Sequence, residues 1–322
     1  MGRRYLGQLG EREAVNEVFV VSDKQLRPNR NGNLYLQMRL TDRTGSVNAM
    51  MWNASDRSAD DFDVGDYVRI EGTTQYYNGN MQIIVTQVEL AEPGDVNEEE
   101  LIQIDREQTE RHMARLAAIL RDIKNVSILN LVEAFLLDEA LIARFKRAPA
   151  GIKTHHAYPG GLLEHVVSVM ELAILVAPRY DAVDQDLLVM GAFLHDIGKL
   201  EELTYDRHLG YSDEGQLIGH LVQGVGILER KIDEATKLSG EPFPGEIAMR
   251  LKHMIVSHHG EVEFGSPKVP MTFEAIALRY LDDLDAKINN FQQIIRDDVN
   301  VDSQWTTYQP NLGRKLYKGN KQ

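Results

Sequence analysis

The chain has 322 residues, with 35 Lys and Arg against 49 Asp and Glu, a formal net charge of −14, and no cysteine. At 43% hydrophobic and 26% charged, it can bury a core and has the length of about two domains. Without thiols, disulfides, thiolate zinc sites and cysteine nucleophiles are excluded. An acidic body also repels a polyanion unless metal ions or local basic patches offset it.

The charge is unevenly spread. Residues 1–92 carry ten basic against thirteen acidic side chains, and Ser303–Gln322 carry four basic and no acidic ones, so the acidity lies in 93–302. The longest unbroken apolar run, Leu187–Leu194, is far short of the ~20 residues of a membrane span. Met1-Gly2-Arg3-Arg4-Tyr5-Leu6 is followed by no apolar signal core, and Leu6 breaks the myristoylation pattern. The expectation is a cytoplasmic protein with no membrane partner.

The first ninety residues read as short strands: Val18–Val21, Leu34–Leu40, Val47–Trp52, Tyr67–Ile70 and Met81–Val88. Turn signals separate them at Asn31-Gly32, Thr44-Gly45, Val64-Gly65-Asp66 and Asn78-Gly79, and Ser55–Phe62 is helix-compatible. Five such strands avoid open edges by closing into a small barrel. In the second strand Leu34, Leu36, Met38 and Leu40 share one face, and Tyr35, Gln37 and Arg39 the other. Tyr35 and Arg39 either decorate a solvated face or form a stacking surface for unpaired bases, which Trp52 and Tyr76-Tyr77 would extend.

Pro93-Gly94-Asp95 before Asn97-Glu98-Glu99-Glu100 marks a linker and a helix start. Helical periodicity follows over His112–Leu120 and Ile128–Phe145, and Pro149 with Gly151 closes that section. Leu162–Ile295 holds about five further helical patterns and no convincing strand. The expected domains are 1–92, a helical connector 93–150, a second domain 151–302 and a basic tail 303–322. In that tail Arg314, Lys315 and Lys318 interleave with Tyr308 and Tyr317, a pattern that fits nucleic-acid contact.

Nine of the ten histidines lie between His155 and His259, several inside apolar helices. His195-Asp196 ends the apolar stretch that begins at Leu187, where a carboxylate needs something positive to meet it. Lys199 could be that partner. His165, His220 and the His258-His259 pair fall in other apolar-faced helices, as do Asp282 and Asp285. Imidazole with carboxylate and no thiolate suits manganese, iron or zinc. Five imidazoles and two carboxylates are too many for one ion and about right for two sharing Asp196. His253 could face the site or the core, and His112 and His208 read as surface residues.

The ordered set His165, His195-Asp196 and Asp282 resembles the H…HD…D signature of the HD superfamily of metal-dependent phosphohydrolases, and His220 with His258-His259 resembles its two-metal subset. With the barrel, the helical connector, His155-His156-Ala157-Tyr158-Pro159-Gly160-Gly161 and Ser257-His258-His259-Gly260, nearly the whole chain resembles the YhaM family of 3′→5′ exoribonucleases. The resemblance implies a five-stranded OB-like β-barrel followed by an all-α HD domain. It implies metal-dependent 3′-end hydrolysis of single-stranded RNA, in some members DNA, releasing nucleoside 5′-monophosphates. His165, His195, Asp196 and Asp282 would hold one ion. His220, His258 and His259 would hold a second, bridged by Asp196, with manganese first and iron, cobalt or zinc as alternatives.

Asp196 and Lys199 would be catalytic, Lys199 reaching the scissile phosphate. Asp285 and His253 would be ligands or lie just behind them. His155, His156, Tyr35, Arg39 and Trp52 would touch substrate, and a homo-oligomer is compatible. Gly260 replaces the glutamate common in cyclic-dinucleotide phosphodiesterases of the superfamily, and no GYP motif follows, so that signalling role is disfavoured. Two alternatives stay open: a nucleic-acid-binding protein with a structural metal site, and a phosphohydrolase acting on free or cyclic nucleotides.

Overall fold

The structure, a computed structural model, describes every residue except 1–2, 30–31, 53, 55–59, 78–79, 97, 102–105, 153–157, 206–209, 297, 299, 301–302 and 320–322. The chain divides into two compact units, one of residues 1–105 with 205–209, the other of 106–204 with 210–322.

The first unit holds β1 (Ala14–Pro28), β2 (Leu34–Asp42), β3 (Gly45–Trp52), β4 (Tyr67–Tyr77), β5 (Asn80–Leu90) and a short helix α1 (Glu98–Leu101). The strands close into a barrel in the order β1-β2-β3-β5-β4. Only β3 and β5 run parallel. Leu36, Met38 and Leu40 point inward with Phe19, Val21, Val68, Ile70 and Ile83, so the alternation of β2 selects the face as its pattern predicts. β1 and β4 outrun the apolar stretches that announce them. Polar residues such as Asp23 to Gln25 and Thr73 to Gln75 continue the ladders, because backbone pairing does not require apolar side chains.

Register shifts at Val21/Asp23 and Glu71/Gly72 bend these long strands around the closure. At the second shift, a Cβ on Gly72 would lie 2.4 Å from the Ile84 carbonyl oxygen, so only glycine lets the strands approach there. The helix-compatible Ser55–Phe62 lies largely outside the described residues, as do Asn31, Asn78 and Gly79 of the turns.

The second unit is helical: α2 (Arg106–Arg121), α3 (Val126–Leu136), α4 (Glu139–Arg147), α5 (Gly161–Val176), α6 (Gln185–Leu194), α7 (Lys199–Glu202), α8 (Asp213–Ile218), α9 (His220–Ser239), α10 (Gly245–Ser257) and α11 (Phe273–Arg296). Two-residue strands β6 (Leu203–Thr204) and β7 (Gly210–Tyr211) pair between α7 and α8, where no strand is expected from the pattern. The helical run Ile128–Phe145 is broken at Leu137-Asp138. The Asp138 carboxylate accepts the Leu141 N–H at 2.9 Å and starts α4 as its N-cap.

Of the expected connector 93–150, residues 93–105 fall in the first unit and 106–150 in the second. α3 packs on α9, and α2 and α4 pack on α5, because Leu116, Leu120, Leu131, Phe135 and Phe145 are fully buried. The edge rings of Phe135 and Phe145 meet Phe193 at 5.1 and 5.9 Å. Residues 161–179 are long and apolar enough to cross a membrane by length and composition, but over half of that window is buried in the fold. The tail turns back on itself through bridges Trp305–Tyr317 and Gln309–Arg314. Its Lys318 pairs with Asp298 at 2.7 Å and its Arg314 lies over Phe291, so these two cations have partners inside the chain.

Candidate metal centre

The centre is assembled by helix ends. His195 follows the last turn of α6, His258-His259 follow α10, His220 is the first residue of α9, and His165 and Asp282 lie within α5 and α11. Two close backbone approaches bring the ends together. A Cβ on Gly198 would sit 1.9 Å from the His220 carbonyl oxygen, so a glycine after His195-Asp196 lets this turn rest on the start of α9. Gly219, at φ +79, separates α8 from α9. His220 therefore opens a helix, where the sequence pattern places it inside one (Leu217–Leu228).

Four of the inward imidazoles are held by their outer nitrogens. His195 Nδ1 meets the Ala192 carbonyl at 2.7 Å and His258 Nδ1 the Ile255 carbonyl at 2.8 Å. His165 Nδ1 meets Asp285 Oδ2 at 2.7 Å, and His220 Nδ1 meets Glu202 Oε1 at 3.0 Å. Carbonyls and carboxylates only accept, so each of these Nδ1 atoms carries a proton and Nε2 is the nitrogen turned toward the centre. Ser168 donates to the other oxygen of Asp285.

The inner nitrogens converge with the carboxylates. His165 Nε2 lies 3.2 Å from His195 Nε2 and 3.2 Å from Asp282 Oδ1. Asp196 faces two ways. Its Oδ2 is 3.4 Å from His195 Nε2 and 2.6 Å from Lys199 Nζ, and its Oδ1 is 3.7 Å from His220 Nε2 and 3.5 Å from His258 Nε2. Lys199 also donates to the Ala150 carbonyl at 2.6 Å. One donor atom from each of His165, His195 and Asp282 falls within 4.8 Å of the others, and the same holds for His220, His258 and His259.

The electrostatics follow from burial. Burial works against the charged form of His165, but Asp282 and Asp285 outweigh it and push the imidazole up to about 9. Burial holds His259 down at about 4, aided by His258 and His220, and also lowers His258. Asp196 stays well below the ordinary carboxylate range despite burial, through Lys199 and then His195. Asp282 is likewise depressed, burial being overcome by His165 and His195. Acceptors that close on one spot demand positive charge. The Oδ1 of Asp196 and the Nε2 of His220 are buried with no hydrogen-bond partner among the described residues, and such groups are rare without an ion or water to meet them. The donor set fits divalent cations.

Asp282 and Asp285 divide the His165 ring, the first facing its inner nitrogen and the second its outer one. His253 is not among the converging donors of the described residues. Its Nε2 accepts the Met271 N–H at 2.9 Å, which fixes the approach to α11. His155, His156 and His208 lie outside the described residues. On the barrel, Tyr35 and Trp52 are cross-strand partners with ring centroids 5.3 Å apart. Trp52 is half exposed, and the exposed Arg39 donates its Nε to Ser46 Oγ at 3.0 Å. Sequence reasoning missed Glu202, Ser168 and Gly198. Only Gly198, in the His-Asp-x-Gly-Lys run, carried a signal.

Residues 19–91 match the family described as OB-fold nucleic acid binding domain, and residues 162–287 match the HD domain. Over 260 residues the chain is 35% identical to a protein of Geobacillus sp. (strain WCH70), covering 80% of this chain and 78% of the relative. It is 32% identical to one from Bacillus subtilis (strain 168) over 86% of each chain, and 32% identical to one from Listeria monocytogenes over 88% of each. All three relatives are named 3′-5′ exoribonuclease YhaM.

Proposed function

Since the chain belongs to the YhaM family of 3′-5′ exoribonucleases, we propose that it removes nucleotides from the 3′ end of single-stranded RNA, and of single-stranded DNA where offered, by hydrolysis to nucleoside 5′-monophosphates. The observation that carries this reading is the arrangement around Asp196, whose two oxygens face two separate groups of inward-turned imidazole nitrogens. His165, His195, Asp196 and Asp282 would hold one divalent ion, and His220, His258 and His259 with Asp196 a second. The ion proposed first is manganese, with iron, cobalt or zinc as alternatives, since carboxylate oxygens suit manganese and imidazole suits iron or zinc. Bound divalent ions supply Lewis-acid activation of water and offset charge on the transferring phosphate.

The chain's own groups do the rest. Lys199 keeps a fixed positive charge beside Asp196, in the role of a contact to the scissile phosphate. Asp285 and Ser168 keep the His165 ring in one orientation. On the barrel, Tyr35 and Trp52 offer bases a stacking platform, and Arg39 on the same face suits the phosphate backbone. The test is 5′-labelled single-stranded RNA incubated with the Mn²⁺-loaded protein. Stepwise shortening from the 3′ end with mononucleotide release is expected, arrested by a chelator. Binding without any released mononucleotide would reject hydrolysis.

A further inference from the structure

For four of the five imidazoles, the outer partners are obtained in two different ways. His195 and His258 come just after the C-terminal ends of helices, where free backbone carbonyls are abundant, and each uses the carbonyl three residues back. His220 opens a helix. The orphan groups at that end of α9 are N–H donors, and the His220 ring is met by a side chain rather than by a backbone carbonyl. Glu202 is that side chain. Its Oε1 accepts both the His220 backbone N–H and the Nδ1–H, each at 3.0 Å, and a carboxylate is favoured at a helix N-terminus. Glu202 is itself pinned. Its carbonyl accepts the Ser212 N–H at 2.9 Å, and a Cβ on Gly215 would lie 2.1 Å from that oxygen. The short segment Asp196–Glu202 thus carries the two-faced carboxylate, Lys199 and the group that aims His220.

We propose that Glu202 is a positioning residue for the cation at the His220, His258 and His259 group, setting the affinity of that position separately from the His165, His195 and Asp282 position, where Asp285 has the matching role. This rests on the reading that both groups hold divalent ions. The test is a Mn²⁺ titration of the metal-stripped full-length protein, with free Mn²⁺ read by electron paramagnetic resonance. Wild type is expected to bind two ions. Glu202→Gln keeps an oxygen acceptor but replaces the carboxylate that meets the Nδ1–H by a neutral amide, and should keep one ion unchanged and bind the other roughly 10–100-fold more weakly, the scale of mutating an outer partner of a ligating histidine. Excess Mn²⁺ should restore its RNA hydrolysis, which a variant damaged only in folding would not show. Asp285→Asn should weaken the other ion, and Glu202→Asp provides a second probe of the same contact. Two ions bound with wild-type affinity by both Glu202 variants would overturn the assignment. Fewer than two ions bound by wild type would overturn the two-ion reading beneath it.

Discussion

The two units place their functional side chains in opposite ways. In the barrel, Tyr35, Arg39 and Trp52, the side chains proposed to meet substrate, stand on the outer face of strands whose inward residues build the core, so they are separate from the side chains that hold the fold. In the helical unit the functional groups are the interior. His165, His195, Asp196 and His258 are almost fully buried and would be prohibitively costly unless opposite charge met them. An exposed stacking face can be altered one contact at a time, whereas a buried polar cluster is all-or-none.

The contrast breaks most sharply at Asp196. Asp196→Asn keeps the size of the side chain but removes the charge both donor groups share, and should lower hydrolysis by at least about a thousandfold, as loss of a central catalytic group does. Oligonucleotide affinity measured by anisotropy should change little.

Next come the two glycines fixed by close backbone approach. Gly198→Ala would push the His195-Asp196 turn off the His220 carbonyl, and Gly72→Ala would push β4 off Ile84. Each should cost about 1–3 kcal/mol or more. Gly198→Ala should impair Mn²⁺ binding and spare RNA binding, and Gly72→Ala the reverse, as parallel metal and oligonucleotide titrations would report.

Glu274 tests the helical interior away from the cations. It is almost wholly buried, accepts the Asp184 N–H at 2.9 Å and pairs with Arg250 at 2.5 Å. Those contacts outweigh burial and hold its carboxyl below the usual range. Glu274→Gln should lose about 3 kcal/mol near neutral pH, the scale for a broken buried pair. Because the folded-state value is depressed, this stabilisation is present above the ordinary carboxylate range and is lost as pH falls through the depressed value. The gap between wild type and variant in urea unfolding should therefore close on acidification.

The smallest effects belong to the outer face. Trp52→Ala should weaken oligonucleotide binding by about 1–3 kcal/mol for each base it stacks. Arg39→Ala should reduce the salt slope by about 1. Neither should alter turnover of a small phosphodiester.

What was legible in the sequence tracks which forces are local. The inward set Leu36, Met38 and Leu40 follows from a two-residue period, and histidines on apolar helices stand out because burial makes them costly. The full reach of β1 and β4 was not legible, because ladder pairing continues through polar residues once a partner strand is beside them. The break at Asp138 hid inside an apolar period that one cap overrides. His253 could not be placed because its partner is a backbone N–H eighteen residues on. Glu202 was invisible for a similar reason, since an acid near other acids declares nothing until Gly215 and Gly219 fold the chain back and bring His220 to it.

The account turns on whether acceptors around Asp196 gather two divalent ions. Anomalous diffraction at the manganese edge, from crystals grown with Mn²⁺, tests this directly. Two peaks are predicted, one among His165, His195 and Asp282 and one among His220, His258 and His259, with Asp196 between them. A map with no peak at either group would contradict the account.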